Sequence, residues 1–214
     1  MVVIAMNSLS LTTSEAGYVL ERSNGAINKA VDTGLIRAGI RRVSGGSGTT
    51  RTLGKPELLF LKLANVLDKD LTLLGQRKVY EAIRRLPGHA IQLRVGILTV
   101  ELTPFDHAID NRVALLMALR EQVELSASGE PVIRGTPVPV YPIAGLSKGQ
   151  TVAEILEDYP SLTREQVEAA VDYAKAYPKK GRPYPARSFK RMIADMDWDD
   201  VETERKHEGP HLIP

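Results

Sequence analysis

Residues 11–36 read LTTSEAGYVLERSNGAINKAVDTGLI, and the fold is decided here. Thr13 or Thr12 supplies a hydroxyl able to cap a helix whose apolar positions include Ala16, Val19 and Leu20. Glu15 sets a negative charge in the first turn, where the helix dipole favours one. The pattern breaks at Arg22–Ser23, and Ser23 can cap a second helix from Asn24. On that helix Ile27, Ala30 and Val31 fall on one face and Asn24, Asn28, Lys29 and Asp32 on the other. Gly34 ends it, and Leu35 and Ile36 tuck back beneath the pair. Two short helices around a tight turn, the second amphipathic with amides and an amine outward, predict a helix-turn-helix.

Working outward, Ile40–Val43 and Thr49–Leu53 are β-prone runs around the glycine-rich Ser44–Gly48, which predicts a hairpin. Directly after a helix-turn-helix, such a hairpin is a wing. The alternative, a phosphate-cradling loop, lacks the Lys-Ser/Thr pair closing a Gly-x4-Gly spacing, and no helix begins at its end. Lys55–Leu67 is apolar nearly all round and reads as a buried helix. Leu73–Leu86 is another helix, striped by Val79, Ile83 and Leu86 and ended by Pro87-Gly88. The alternation from Ile91 to Leu102 predicts two strands with a phase change at Gly96, followed by a long helix from about Phe105 to Gln122. A Ser/Ala/Gly linker is expected at residues 126–130.

Residues 131–177 read as a second compact unit. It opens on an extended, proline-punctuated segment with alternating valines. Thr151 then caps a helix carrying Val152, Ile155 and Leu156, stopped by Tyr159-Pro160. Thr163 and Gln166 form a capping box for a last helix carrying Val167, Ala170, Val171 and Ala174. The expected fold class is therefore α+β, mainly helical. Its parts are a winged helix-turn-helix (1–88), a strand–helix connecting segment and possible dimer interface (89–130), a helical unit (131–177) and an extended tail (178–214). The tail is proline-rich and charged, with too few large apolar residues for its own core. Phe189, Met192, Ile193, Met196 and Trp198 sit at spacings that would line one side of a helix if a partner supplied the other.

Cysteine is absent, which excludes disulfides, thiolate metal sites and cysteine nucleophiles. The apolar opening Met1–Met6 is too short for a secretory core and reads as a short strand or docking arm. No apolar stretch approaches the roughly 20 residues of a membrane span, so a soluble, cytoplasmic protein is expected. Net charge is only +2, but the charges are segregated. Thr33–Lys55 carries Arg37, Arg41, Arg42, Arg51 and Lys55 with no acid, Lys179–Arg191 carries six bases with no acid, and Asp195–Glu204 carries six acids with no base.

Residues 12–36, through Thr13, Glu15-Ala16, Leu20, Ser23, Ile27 and Gly34-Leu35, resemble the opening of the excisionase/MerR-like winged-helix group. A second resemblance runs through Val132-Ile-Arg-Gly-Thr-Pro-Val-Pro-Val140, Glu154-Ile-Leu-Glu-Asp-Tyr-Pro-Ser-Leu-Thr163 and Glu165-Gln-Val-Glu-Ala-Ala-Val-Asp-Tyr-Ala174. It is similar to a small helical family long catalogued as a domain of unknown function and found as the antitoxin of bacterial toxin–antitoxin pairs. Gly149-Gln150-Thr151 departs slightly from that pattern. Together the two units resemble a VapB-type antitoxin, and the resemblance implies a PIN-like ribonuclease as cognate toxin.

A recognition helix in the major groove needs amide and cationic side chains on its exposed face. Asn24, Asn28 and Lys29 fit, with Arg22 and Ser23 placed to hold a phosphate at the helix start and Arg41, Arg42 and Arg51 on the wing. For each residue the rival reading is a solvated polar face. Arg134-Gly135-Thr136 reads as a tight turn or as a second contact through Arg134. If the partner is a PIN-like ribonuclease, the tail can enter its carboxylate cluster. Arg182, Arg187, Lys190 and Arg191 are then the cations, Phe189, Met192 and Ile193 the apolar anchors, and Tyr184 and Trp198 further contacts. A disordered tail is the rival. Catalysis finds no support: His89, His107, His207 and His211 are scattered, and Asp106, His107 and Asp110 read as helix-start residues. The expectation is a non-enzymatic, cofactor-free antitoxin that binds operator DNA as a homodimer or toxin–antitoxin hetero-oligomer. The alternatives are a free-standing transcriptional regulator and a protein-interaction adaptor.

Overall fold

Thr12 caps the first helix with both halves of a capping box: its hydroxyl accepts from the Glu15 amide (3.3 Å) and its own amide donates to Glu15 Oε2 (2.7 Å). The computed structural model describes residues 9–42, 48–67, 71–88, 90–179, 181 and 184–194. The expected arm at Met1–Met6 lies outside them.

Strand β1 (Leu11–Thr12) leads into α1 (Thr13–Leu20), and a three-residue turn leads into α2 (Asn24–Asp32). The turn is tight because Gly17 permits it. A Cβ at Gly17 would stand 2.8 Å from the Arg22 carbonyl oxygen and 3.0 Å from Asn24 Oδ1. Hairpin β2 (Gly39–Arg42) and β3 (Thr49–Leu53) follows, with Gly39 opposite Thr52 and Arg42 opposite Thr49. β3 also pairs with β1, giving a small antiparallel sheet in the order β1-β3-β2. Helix-turn-helix plus hairpin is the winged arrangement that the first 53 residues predict.

Helix α3 (Lys55–Leu67) is the central rod of this unit, with Leu58, Leu59, Phe60, Leu61 and Leu63 almost wholly buried. Helix α4 (Leu73–Arg85) lays Val79, Tyr80 and Ile83 on it, the Tyr80 ring 5.2 Å from that of Phe60. Hairpin β4 (Gln92–Val95) and β5 (Leu98–Glu101), turned at Gly96 with φ 60°, precedes α5 (Thr103–Glu121). The connecting segment, also read as a possible dimer interface, adds Leu93, Leu102, Ile109, Val113, Leu116 and Leu119 to the first core.

Two sequence expectations change. The Ser/Ala/Gly run is the turn of a third hairpin, β6 (Val123–Leu125) and β7 (Pro131–Ile133), closed by Ser126 and Glu130. The proline-punctuated segment then becomes helix α6 (Val140–Leu146) instead of staying extended. Pro139 occupies its N-cap position without a side-chain bond, and Pro142 sits in its first turn, where a missing N–H costs no intrahelical bond. Helices α7 (Val152–Asp158) and α8 (Arg164–Ala176) start at the capping boxes of Thr151 and Thr163. A second core gathers Ile133, Val140, Ile143, Ile155, Leu162 and Val167. The described part of the tail folds back on this unit and ends in a short helix, α9 (Phe189–Ala194). No helix among the described residues is long and apolar enough to cross a membrane.

Helix α8 belongs to both cores: Val167 and Ala170 face the second, while Ala176 is buried in the first. Beside Ala176 lies an ionic node. Glu15, 2% exposed at the start of α1, pairs with Arg120 of α5, which also donates to the Tyr177 hydroxyl just past α8. Burial raises the Glu15 carboxyl, but bonds from the Thr12 amide and Arg120 outweigh it and hold the group below the usual carboxylate range. Arg120→Ala is expected to lower unfolding stability by about 1–3 kcal/mol at pH 7, read by urea titration. Because the folded carboxyl is more acidic than the unfolded one, its contribution is complete above the unfolded value and lost as pH falls through the folded one. The gap between wild type and variant therefore narrows on acidification.

Candidate nucleic-acid interface

Helix α2 turns Ile27 and Ala30 into the core, which leaves the opposite side of the helix open. Lys29 is exposed there, with the half-buried Asn28 beside it. Strand β2 is the outer strand of its sheet and all four of its residues are exposed, Arg41 and Arg42 included. Its pairing with β3 puts Arg42 on the same face as Ile40, Thr49 and Arg51, and Arg41 on the other face with Thr50. With the described residues, Lys29, Arg41 and Arg42 form no ion pair. With Asn28 they make up the polar, basic outer face of the winged unit.

Other expected contacts are engaged inside the module. The Arg22 guanidinium donates to Asn65 of α3, so it braces the turn against the rod. Ser23 is the α2 cap, its hydroxyl accepting from the Ala26 amide at 3.2 Å. Asn24 donates to the Ser14 hydroxyl at 3.0 Å and ties α2 to α1. Arg51 pairs with Asp32 at 2.7 Å and fastens the wing to the end of α2. Lys55, counted in the basic stretch, is 5% exposed and lies between Asp106 (3.6 Å) and Asp110 (3.0 Å) of α5. The two acids read as helix-start residues thus hold a buried lysine, and Lys55 adds nothing to the outer charge.

Two basic residues that sequence periodicity did not single out flank this face. Arg37 is exposed beside α2 and pairs with Glu81 at 2.9 Å, and Arg77 of α4 donates to the Thr33 carbonyl at 3.4 Å. Arg37's only sequence signal is its place in the basic stretch and Arg77 has none; bonds from α4 to the segment after α2 bring them here. A cleft of about 590 Å³ beside the turn is lined by Tyr18, Glu21, Arg112, Asp172 and Lys175 among others. Arg112 stacks over the Tyr18 ring at 4.4 Å and Lys175 pairs with Asp172 at 2.8 Å. The cleft therefore mixes both signs of charge, unlike the outer face of α2 and the wing. No group of acids and histidines able to hold a metal occurs among the described residues.

On the second unit, Arg134-Gly135-Thr136 is a turn: Gly135 has φ 75° and the Thr136 hydroxyl donates to the Ile133 carbonyl at 2.9 Å. The tail residues divide. Phe189 is 74% exposed, Met192 42% and Ile193 37%, so the expected apolar anchors face outward on α9. Lys190 is exposed, 3.8 Å from Asp158. Arg187 is exposed too. Arg191 instead binds Glu157 (2.6 Å), Asp158 (3.2 Å) and Glu154 (3.5 Å) of α7. Tyr184 accepts from Lys179 at 2.8 Å. Arg182 and Trp198 lie outside the described residues.

Fold and site together define a winged helix-turn-helix carrying a small helical unit. Residues 126–174 match the model of a protein family of unknown function, DUF433. The chain is 43% identical over 89 residues to the uncharacterized protein y4eO of Sinorhizobium fredii, a match that spans 40% of this chain and 40% of that protein's length. A solved structure, that of Rv2018 from Mycobacterium tuberculosis, aligns with 79% of this chain and 98% of its own at 13% identity. The TM-score of that superposition is 0.29.

Ser23→Ala is expected to lower stability by about 1 kcal/mol through the lost cap. Asn28→Ala with Lys29→Ala should stay within about 0.5 kcal/mol of wild type, because neither residue holds the fold. Thermal melts of the two variants separate the bracing residues from those left for a ligand.

Proposed function

We propose that the chain is a non-enzymatic regulator that binds operator DNA through α2 and the wing, and that it serves as the antitoxin of a toxin–antitoxin pair. One observation carries the DNA-binding reading. On a helix-turn-helix, Asn28 and Lys29 face away from the core while Arg41 and Arg42 stand on an outer wing strand without an ion pair among the described residues. In this reading Asn28 and Lys29 read base edges in the major groove, and the wing arginines hold phosphates. Arg22, Asn24 and Arg51 act one step back, by fixing the turn and the wing on the body. Operator symmetry mirrors protein symmetry, so a dimer is part of the proposal; Leu115 and Met117, exposed on α5, are available to it.

The antitoxin half of the proposal is supported by the resemblance of the second unit and by the outward apolar stripe of α9. Phe189, Met192 and Ile193 dock on the toxin, a PIN-like ribonuclease, with Lys190 and Arg187 beside them. A free-standing regulator is the second reading, favoured by one specific contact set: Arg191 is held by three carboxylates of its own chain.

Asn28→Ala with Lys29→Ala should weaken binding to the chain's own upstream DNA by roughly tenfold or more, and binding to random DNA much less. Equal losses on both would reduce these residues to phosphate contacts. Arg41→Ala with Arg42→Ala should instead lower the salt slope of binding by about 2. The toxin reading is tested by co-expressing the adjacent open reading frame with the full chain and with a chain stopped after Tyr177. Growth restored only by the full chain, with co-purification, is expected; a harmless neighbour favours the free-standing regulator.

A further inference from the structure

The returning tail, Tyr184–Ala194, is attached to the helical unit in an unusual way. Helix α9 has six residues, too short to persist alone. Its large apolar side chains point to solvent, Phe189 at 74% exposure, and none of them enters the second core. What holds it is polar. Asp158, whose side chain is 5% exposed, accepts from Gln150 (3.0 Å), from the Ser188 hydroxyl (2.6 Å) and from Arg191 Nε (3.2 Å). Gln150 in turn accepts from the Ser188 amide at 2.9 Å. Arg191 spreads over Glu157 and Glu154 as well and reaches the Glu154 carbonyl at 3.3 Å.

The seat is also cut to the backbone of this segment. A Cβ on Gly145 would stand 2.6 Å from Tyr184 Cβ, and one on Gly149 would stand 2.6 Å from the Ala186 carbonyl oxygen. Glycine at these two places lets the incoming chain lie directly on α6 and on the loop that follows it. The unit therefore presents a groove with a fitted floor, a buried carboxylate at its centre and an acidic rim. The segment lying in it is cationic at Arg187, Lys190 and Arg191 and contributes nothing to the core.

We propose that this groove is a docking site for a cationic protein segment carrying a serine and an arginine three residues apart, and that the chain's own tail plugs it in cis until such a segment displaces it. The inference does not depend on the DNA-binding or antitoxin reading. Charge complementarity selects the occupant: Asp158, Glu157 and Glu154 need an arginine, and the short reach from Asp158 and Gln150 needs the serine. Because the plug is tethered, its effective concentration is high, in the millimolar range for short flexible linkers, and an external segment must compete against it.

The probe is a labelled peptide with the sequence of residues 184–194, titrated into the full chain by fluorescence anisotropy. Ser188→Ala with Arg191→Ala weakens the cis plug and leaves the groove intact, so the peptide should bind this variant at least tenfold tighter than wild type, and more weakly as salt rises. Adding Asp158→Asn should remove that binding while the circular dichroism spectrum is kept. Equal affinity for wild type and the plug variant overturns the proposal. Hydrogen exchange of the wild-type chain supplies a test that needs no variant. Unlabelled peptide in excess should speed exchange in residues 184–191 and leave Arg164–Ala176 unchanged; unaltered exchange at saturating peptide would also overturn it. An oligomer of the wild type that Ser188→Ala with Arg191→Ala dissolves would assign the groove to the tail of a second copy and reject the cis plug.

Discussion

The buried Glu15 carboxylate at the head of α1 is the constraint on which the arrangement of the two units depends. An unpaired carboxylate at that depth is strongly unfavourable, so its partners must be brought to it. The Thr12 capping box supplies one from the neighbouring backbone. Arg120, 105 residues further along, supplies the second, and its bond to the Tyr177 hydroxyl brings the end of α8 to the same point. Tyr141 of α6 then donates to the Tyr177 carbonyl at 2.9 Å, which ties the second unit's first helix to the node. Around these polar groups the apolar packing is continuous, since α8 places side chains in both cores. The winged unit and the helical unit are thereby joined through side chains on α1, α5 and α8, and not only through the chain between them.

With the body fixed in this way, charge on the surface sorts into two kinds. Arginines near the joints are consumed by bracing: Arg22 on α3, Arg51 on the end of α2, Arg112 over Tyr18 and Arg191 on α7. Lys29 on α2 and Arg41 and Arg42 on β2 have no such partner among the described residues. The bracing set gives the outward set a defined geometry. With its start clamped by Asn24–Ser14 and its end by Asp32–Arg51, α2 can hold Asn28 and Lys29 in one register. Net charge near neutrality hides this division.

Much of the fold was legible because its signals are local. Helix starts at Thr12, Ser23, Thr151 and Thr163 follow from a hydroxyl at the cap, and in the first, third and fourth of these from an acid or amide three residues on. The wing follows from β-prone runs around glycines. What escaped was set by distant contacts. Helix α6 was hidden by Pro139 and Pro142, which read as extended chain unless the helix is known to begin between them. The hairpin at residues 123–133 was hidden because its turn has linker composition. Of the candidate interface, the placement of Asn28 and Lys29 off the core stripe of α2 was legible from helical period alone. The diversion of Arg22, Asn24 and Arg51 was not, since Asn65, Ser14 and Asp32 become their partners only after packing. Glu15 was read correctly as a first-turn acid, yet its burial against Arg120 leaves no trace in local sequence.

The proposed DNA surface of α2 and the wing reads sequence. Its most direct test is a fluorescence anisotropy titration of the full chain on two duplexes, one from immediately upstream of its own reading frame and one of shuffled sequence, across a salt series. The upstream duplex is expected to bind on the order of a thousandfold tighter at moderate salt, with affinity on both falling linearly in the logarithm of salt. Binding to neither duplex at low salt, or equal binding to both throughout the series, would contradict it.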